Sequence, residues 1–256
     1  MIHNKVMNPK LLITAGCSFS QVPESDVTWP VHLSEYINCE TLYLGRGAAG
    51  NGIISRNVIY NTLQALKKYK PEELLVCILW SGANRHEVYL SKHFGKDILD
   101  TTIIDYGEDH DELSNPTKIV KHKNFYLVNA HWDDKLSQTF YKYFHDEIGS
   151  YIFTLEHILR VQWFLKLNKI KYFMSAYHFD VLPNDPFHLQ HSDINYLYNQ
   201  IDFSEWLSVK NMYEYCSTTG LPKKNRARHP TTEMHKAFTN NIILPHLISK
   251  GYILNK

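Results

Sequence analysis

Ser18 and His229 lie at opposite ends of the chain and have the chemistry of a nucleophile and its base. Ser18 sits in Gly16-Cys17-Ser18-Phe19-Ser20, directly after the apolar run Leu11-Leu12-Ile13-Thr14-Ala15. A serine hydroxyl attacks poorly unless a neighbouring base takes its proton, and neutral histidine is the usual base near pH 7. Gly16 permits a tight turn at a strand's C-terminal edge, so the hydroxyl points into a cleft and not into the core. Acyl transfer also needs donors aimed at the oxyanion of the transition state. The backbone amides of Ser18 and Gly50 and the side-chain amide of Asn84 are the candidates. Each residue has a plainer reading: Ser18 as a turn residue, Asn84 as a turn cap, His229 as a loop histidine.

The elements around these residues favour the catalytic reading. Leu11–Ala15 reads as a strand, Trp29–Ile37 as a helix, and Thr41–Leu44 as a second strand running into the Gly-rich stretch 45–52. Ile53–Tyr69 is amphipathic, and Leu74–Trp80 is a continuous apolar run, as expected of a central parallel strand buried on both faces. This alternation predicts a doubly wound α/β sheet. The C-terminal ends of parallel strands share one rim, where ligands bind. Ser18, Gly50 and Asn84 each follow a predicted strand, so all three are expected there, with the loop carrying His229 folded onto them.

Further along, residues 87–135 read as a polar insertion with an acidic patch at Asp105–Glu112. Ser137–Asn168 reads as one long helix or a broken pair, its aromatic residues packing the core. Ile170–Ala176 is a strand, and 177–228 a second insertion with short helices, one around Phe203–Tyr215. Thr231–Leu244 is the last helix, started near Pro230 and stopped or kinked at Pro245. The whole, residues 1–256, is expected to be one domain.

The motifs resemble those of the SGNH (GDSL-type) hydrolase superfamily. Gly16-Cys17-Ser18-Phe19-Ser20 looks like its first block, with Cys17 where Asp is common, and Trp29-Pro30 fits a common form after it. Gly45-Arg46-Gly47-Ala48-Ala49-Gly50-Asn51 looks like the second, Gly82-Ala83-Asn84-Arg85 the third with Arg85 where Asp is usual, and His229-Pro230 the last. The resemblance implies a flavodoxin-like three-layer α/β/α fold. It also implies ester hydrolysis, frequently of acetyl groups on carbohydrate, with Ser18 and His229 catalytic, Ser18, Gly50 and Asn84 in the oxyanion hole, and no cofactor or metal. One departure concerns the Asp that orients the family's histidine, because Arg226 stands at that position. Arginine has donors only and cannot accept the Nδ1 proton. A backbone carbonyl, Asp180 or Asp202 takes that role, or the site is a Ser–His dyad. Without such an acid the alternative is a non-catalytic SGNH-like module that binds glycan or a protein partner.

Composition narrows the field. Lys plus Arg (27) balances Asp plus Glu (26), so no global field favours nucleic acid or an anionic membrane. The partner expected instead is a small-molecule or glycan ester. The four cysteines form no C-x-x-C pair and read as reduced thiols. Gly45-x-Gly47-x-x-Gly50 matches a dinucleotide fingerprint in form but lacks an acid about 20 residues on, at the end of the next strand. His188-x-x-His191-x-Asp193 matches no strong zinc spacing and reads as a solvated loop. The basic run 223–228 reads as a solvated loop beside His229 that can attract an anionic substrate. The apolar run before Cys17 spans about five residues, short of the roughly 7–15 of a secretion signal. No run approaches the ~20 apolar residues that span a bilayer. The expectation is a cytoplasmic protein, or a phage-encoded one released by lysis.

Overall fold

The computed structural model describes residues 8–22, 27–89, 125–130, 132–209, 211–220 and 229–255. The chain forms β1 (Leu11–Gly16), α1 (Trp29–Ile37), β2 (Glu40–Tyr43), α2 (Asn51–Ala65) and β3 (Leu74–Trp80). Next come β4 (Arg85–Tyr89), β5 (Phe125–Asn129), α3 (Lys135–Tyr143), α4 (Glu147–Leu167) and β6 (Lys171–Ala176). Short helices α5 (Pro186–Gln190), α6 (Ser192–Tyr198) and α7 (Met212–Thr218) lead to α8 (Thr232–Phe238) and α9 (Leu244–Ser249).

Four strands make a parallel sheet in the order β2-β1-β3-β6, and β4 and β5 form a separate antiparallel pair. Every residue of β1 and β3 is buried, which is why both read as apolar runs. The chain winds outward from β1 to β2, then returns past β1 to β3. Right-handed crossovers in opposite directions set α1 and α2 on opposite faces of the sheet. α4 packs beside α2, and α8 packs beside α1. The fold is thus α/β, a parallel four-stranded sheet with helices, an arrangement compatible with three layers. The direction of winding reverses at β1, so its C-terminal end borders the crevice where such sheets bind ligands.

Several elements differ from expectation. α2 begins at Asn51, not Ile53, because Gly50 takes the N-cap position with extended backbone. The stretch 137–168 is a broken pair: Asp146 accepts the Gly149 N–H at 2.8 Å and starts α4 afresh. Its aromatic residues do not all pack the core. α4 presents Tyr151, Leu155, Ile158, Gln162 and Leu165 inward at helical spacing, which leaves Phe153 and Trp163 on the outer face, and Phe144 is exposed beyond the end of α3. The helix expected around 203–215 is a 3₁₀ turn at Phe203–Glu205 followed by α7. Between them Trp206 bridges to Met174 in parallel fashion and extends the sheet past β6. Pro245 does not stop the last helix. A π turn at Thr239–Ile243 widens the backbone just ahead of it, so that α9 continues around a residue without an N–H. His188 lies buried on α5 against Tyr151 and Glu147, not in a solvated loop. The insertion expected at 87–135 contributes β4 and β5, and the acidic patch at 105–112 lies outside the described residues.

The β4–β5 pair docks through buried polar groups. Glu87 takes Arg56 at 2.6 Å, and His86 Nε2 lies 3.1 Å from Ser150 Oγ, which in turn lies 3.3 Å from His145 Nδ1. Burial, with His145 nearby, lowers the His86 pKa to about 4, and burial with Arg160 and Arg56 lowers His157 to about 3. An unfolded histidine protonates near pH 6.5, so between there and about pH 4 the unfolded chain binds more protons than the folded one. Stability therefore falls as pH drops through that window, by on the order of 2 kcal/mol for His86 alone. Urea midpoints at pH 7 and pH 4.5 are expected to diverge for wild type and to converge partly in His86→Gln. Equal sensitivity in both proteins would contradict this origin.

Candidate active site

β1 ends in a turn that exposes one hydroxyl. The Ser20 N–H donates to the Cys17 carbonyl at 2.9 Å and closes the turn around Ser18. Gly16 has φ +154°, and a Cβ there would lie 2.3 Å from Ser20 Oγ and 2.6 Å from the Leu79 carbonyl. Only glycine fits that junction. Ser20 is fully buried and accepts the Trp29 indole N–H at 3.1 Å, which ties the turn to the start of α1. The neighbouring Ser18 is left partly exposed.

The last helices return a histidine to this turn. α8 is capped by Thr231 and packs on α1, and Thr239 Oγ1 reaches the Trp29 carbonyl at 3.5 Å. His229 leads into α8, with its ring 5.2 Å from that of Phe19. His229 Nε2 lies 2.7 Å from Ser18 Oγ, across 211 residues of sequence. With the ring proton on Nδ1, the Ser18 O–H donates to Nε2, the arrangement in which an imidazole removes a serine proton.

The second and third motifs meet beside this pair. Gly50 caps α2, and a Cβ on it would stand 2.5 Å from the Arg85 carbonyl. Asn51, buried at 2% exposure, pairs with the Ser81 backbone: Nδ2 donates to its carbonyl and Oδ1 accepts its N–H, both at 2.8 Å. The same Nδ2 lies 3.2 Å from Thr154 Oγ1. This amide holds the first turn of α2 to the end of β3 much as a neighbouring strand would. Asn84 is solvent-exposed, but its backbone is fixed. Tyr141 donates its hydroxyl to the Asn84 carbonyl, and on either side Ala83 bonds to Asp180 and Arg85 to Gly82.

Arg85, Tyr177 and Asp180 form the wall next to the serine turn. The Arg85 guanidinium donates to Ser81 Oγ at 3.0 Å, approaches the Tyr177 hydroxyl at 3.4 Å and reaches the Cys17 thiol. Burial, opposed by Arg85 and reinforced by Asp180, moves the Tyr177 pKa well up, so the phenol stays protonated. The Tyr177 ring meets Phe19 edge-on at 5.1 Å, and Asp180 takes His178 Nδ1 at 3.1 Å.

Of the acids considered as partners for His229, Asp180 lies on this rim and Asp202 does not. Asp202 pairs with Lys166 and caps Ser204, on the N-terminal side of the point where Trp206 runs parallel to β6, so it stands toward the opposite end of the sheet. Arg226 and the basic run 223–228 lie outside the described residues. Among the described residues, no three His, Cys, Asp or Glu side chains are arranged to hold a metal, and no helix is long and apolar enough to cross a membrane. None of the four cysteines is joined in a disulfide. Sequence reasoning missed the positioning roles of Asn51 and Tyr141 and the Arg85–Tyr177–Cys17 contacts. Only the place of Asn51, next to a glycine at a helix start, was a local signal.

Against known proteins, residues 22–255 match DUF6071, a family of unknown function. The matched span begins after Ser18 and contains Gly50, Asn84 and His229. No curated protein matches the chain.

Proposed function

The chain belongs to the DUF6071 family, and we propose that it is a serine esterase of the SGNH type with a flavodoxin-like α/β/α fold. The observation that carries this reading is the 2.7 Å contact between Ser18 Oγ and His229 Nε2. The substrates are acyl esters, O-acetyl groups on carbohydrate among them. Ser18 Oγ attacks the acyl carbonyl while its proton passes to His229 Nε2. The resulting oxyanion takes the Ser18 and Gly50 amides and the Asn84 side-chain NH₂. The tetrahedral intermediate then collapses, and the leaving alkoxide takes the proton from Nε2. Water, deprotonated by His229, attacks the acyl-enzyme and releases the acid. A sugar hydroxyl in place of that water makes the same chemistry a transfer.

Two further features support this reading. Gly50 takes the N-cap position of α2, where a backbone N–H is not used by the helix's own hydrogen bonds, and the Glu87 carboxylate beside it is neutralised by Arg56 at 2.6 Å. The backbone of Asn84 is held from three directions, as a preorganised donor requires. The test is hydrolysis of p-nitrophenyl acetate and of acetylated sugars, by wild type and by Asn84→Ala. Loss of one oxyanion donor is expected to lower kcat about 10²–10³-fold with little change in KM. Absence of turnover by folded wild type on every acyl ester would contradict the proposal.

A further inference from the structure

Arg85, the charge that the third motif brings to this rim, has no role in the chemistry above. It is partly buried, and its direct partners are neutral: Ser81 Oγ at 3.0 Å, the Tyr177 hydroxyl at 3.4 Å, the Tyr177 ring face at 4.9 Å and the Cys17 thiol, with the Asp180 carboxylate acting on it from beyond ion-pair distance. Among the described residues no carboxylate forms an ion pair with it. Arg56 shows the contrast, since its guanidinium meets the buried Glu87 carboxylate at 2.6 Å. A guanidinium partly withdrawn from water and without a direct ion pair gains from an anion that reaches its open donors. Five donors in a rigid plane match the two oxygens of a carboxylate, and Ser81 and Tyr177 use only part of that set.

Position adds to the argument. Arg85 contacts Cys17, the residue before the nucleophile, and its carbonyl packs on Gly50. The first turn of α2 lies at the same place, and the carboxylate already beside it, Glu87, is neutralised by Arg56 at 2.6 Å. An anion seated on Arg85 is therefore a near neighbour of the acyl group on Ser18. The Asp180 carboxylate is shared between His178 Nδ1 at 3.1 Å and the Tyr177 hydroxyl, and it acts on Arg85 without pairing with it, which gives the rim a negative border.

We propose that Arg85 anchors a carboxylate on the substrate, so that the preferred esters are monoesters carrying a free acid near the scissile bond. The ester half of this assignment rests on the serine-esterase reading, and the anion half does not. Arg85 acts as a specificity residue, fixing the substrate's charged end while Ser18 and His229 do the chemistry.

The experiment uses full-length Ser18→Ala protein, which cannot turn substrate over, and calorimetry with the monoethyl and diethyl esters of succinate, glutarate and adipate. At least one monoester is expected to bind tenfold or more tightly than its neutral diester. Arg85→Gln in the same background is expected to erase that preference, and Arg85→Lys to keep part of it, with thermal melts confirming that each variant folds. Equal binding of monoesters and diesters overturns the proposal without recourse to any Arg85 variant, as does a preference that survives Arg85→Gln. Fluorophosphonate labelling of wild type separates the two layers. An adduct on Ser18 together with equal binding removes the anion site and leaves the esterase. No adduct together with a monoester preference removes the esterase and keeps the anion site.

Discussion

Ser18→Ala is expected to lower kcat for p-nitrophenyl acetate by about 10⁴-fold or more, leaving only what the oxyanion donors and binding contribute. His229→Ala is expected to fall nearly as far. The reason lies in the 2.7 Å contact: without His229 the serine proton has no acceptor, and without Ser18 the histidine has nothing to deprotonate. Groups that act as one unit are not additive, so the double variant should be little worse than either single one. Melting temperatures should change little, because Ser18 is partly exposed and His229 lies at the entry to α8, outside its buried face. The check is initial rates on all three variants beside circular dichroism. A Ser18→Ala protein that retains a tenth of wild-type activity would place the nucleophile elsewhere.

The second large effect concerns stability. Asn51 donates to the Ser81 carbonyl and accepts its N–H, both at 2.8 Å in a buried setting. Asn51→Ala leaves both backbone groups without partners, at about 1–3 kcal/mol each. Asn51→Asp is the sharper variant because its size is unchanged. Its carboxylate still accepts the Ser81 N–H, but an oxygen now faces the Ser81 carbonyl, and a charge is buried without a counter-ion. It should therefore be at least as destabilising as alanine, by about 3 kcal/mol or more. Both substitutions also loosen α2 from the end of β3, so kcat should drop further than KM rises in whatever protein remains folded. Urea unfolding measures the first effect and steady-state kinetics the second. An Asn51→Asp protein as stable as wild type would mean that the amide is not a clamp.

These residues also show where the sequence was legible. Leu74–Trp80 reads as a strand to the residue because both faces are buried and no polar side chain interrupts the run. Trp29–Ile37 likewise keeps its predicted ends, between Thr28 and a left-handed Asn38. The start of α2 was not legible, because Gly50-Asn51-Gly52 has loop composition and becomes helical only with Ser81 to satisfy Asn51. The aromatic residues of α4 were misplaced for a related reason. Which face of an evenly apolar helix turns inward depends on α2 and α6, not on its own residues. Ser18 and His229 announced themselves by residue type and by their place after a strand and before a helix. The groups that position the rim did not, since Arg85 meets Tyr177 across 92 residues and Tyr141 meets Asn84 across 57. Pairings at such separations follow from the fold and leave no local pattern.

The central claim is that the hydroxyl of Ser18 is activated by His229, and intact-mass labelling with a fluorophosphonate tests it most directly. The reagent phosphonylates an activated serine whatever the natural substrate is. The account predicts one adduct on wild type, located at Ser18 by peptide mapping, and none on Ser18→Ala or His229→Ala. Folded wild-type protein that stays unlabelled from pH 6 to pH 9 would contradict it and favour a non-catalytic binding module.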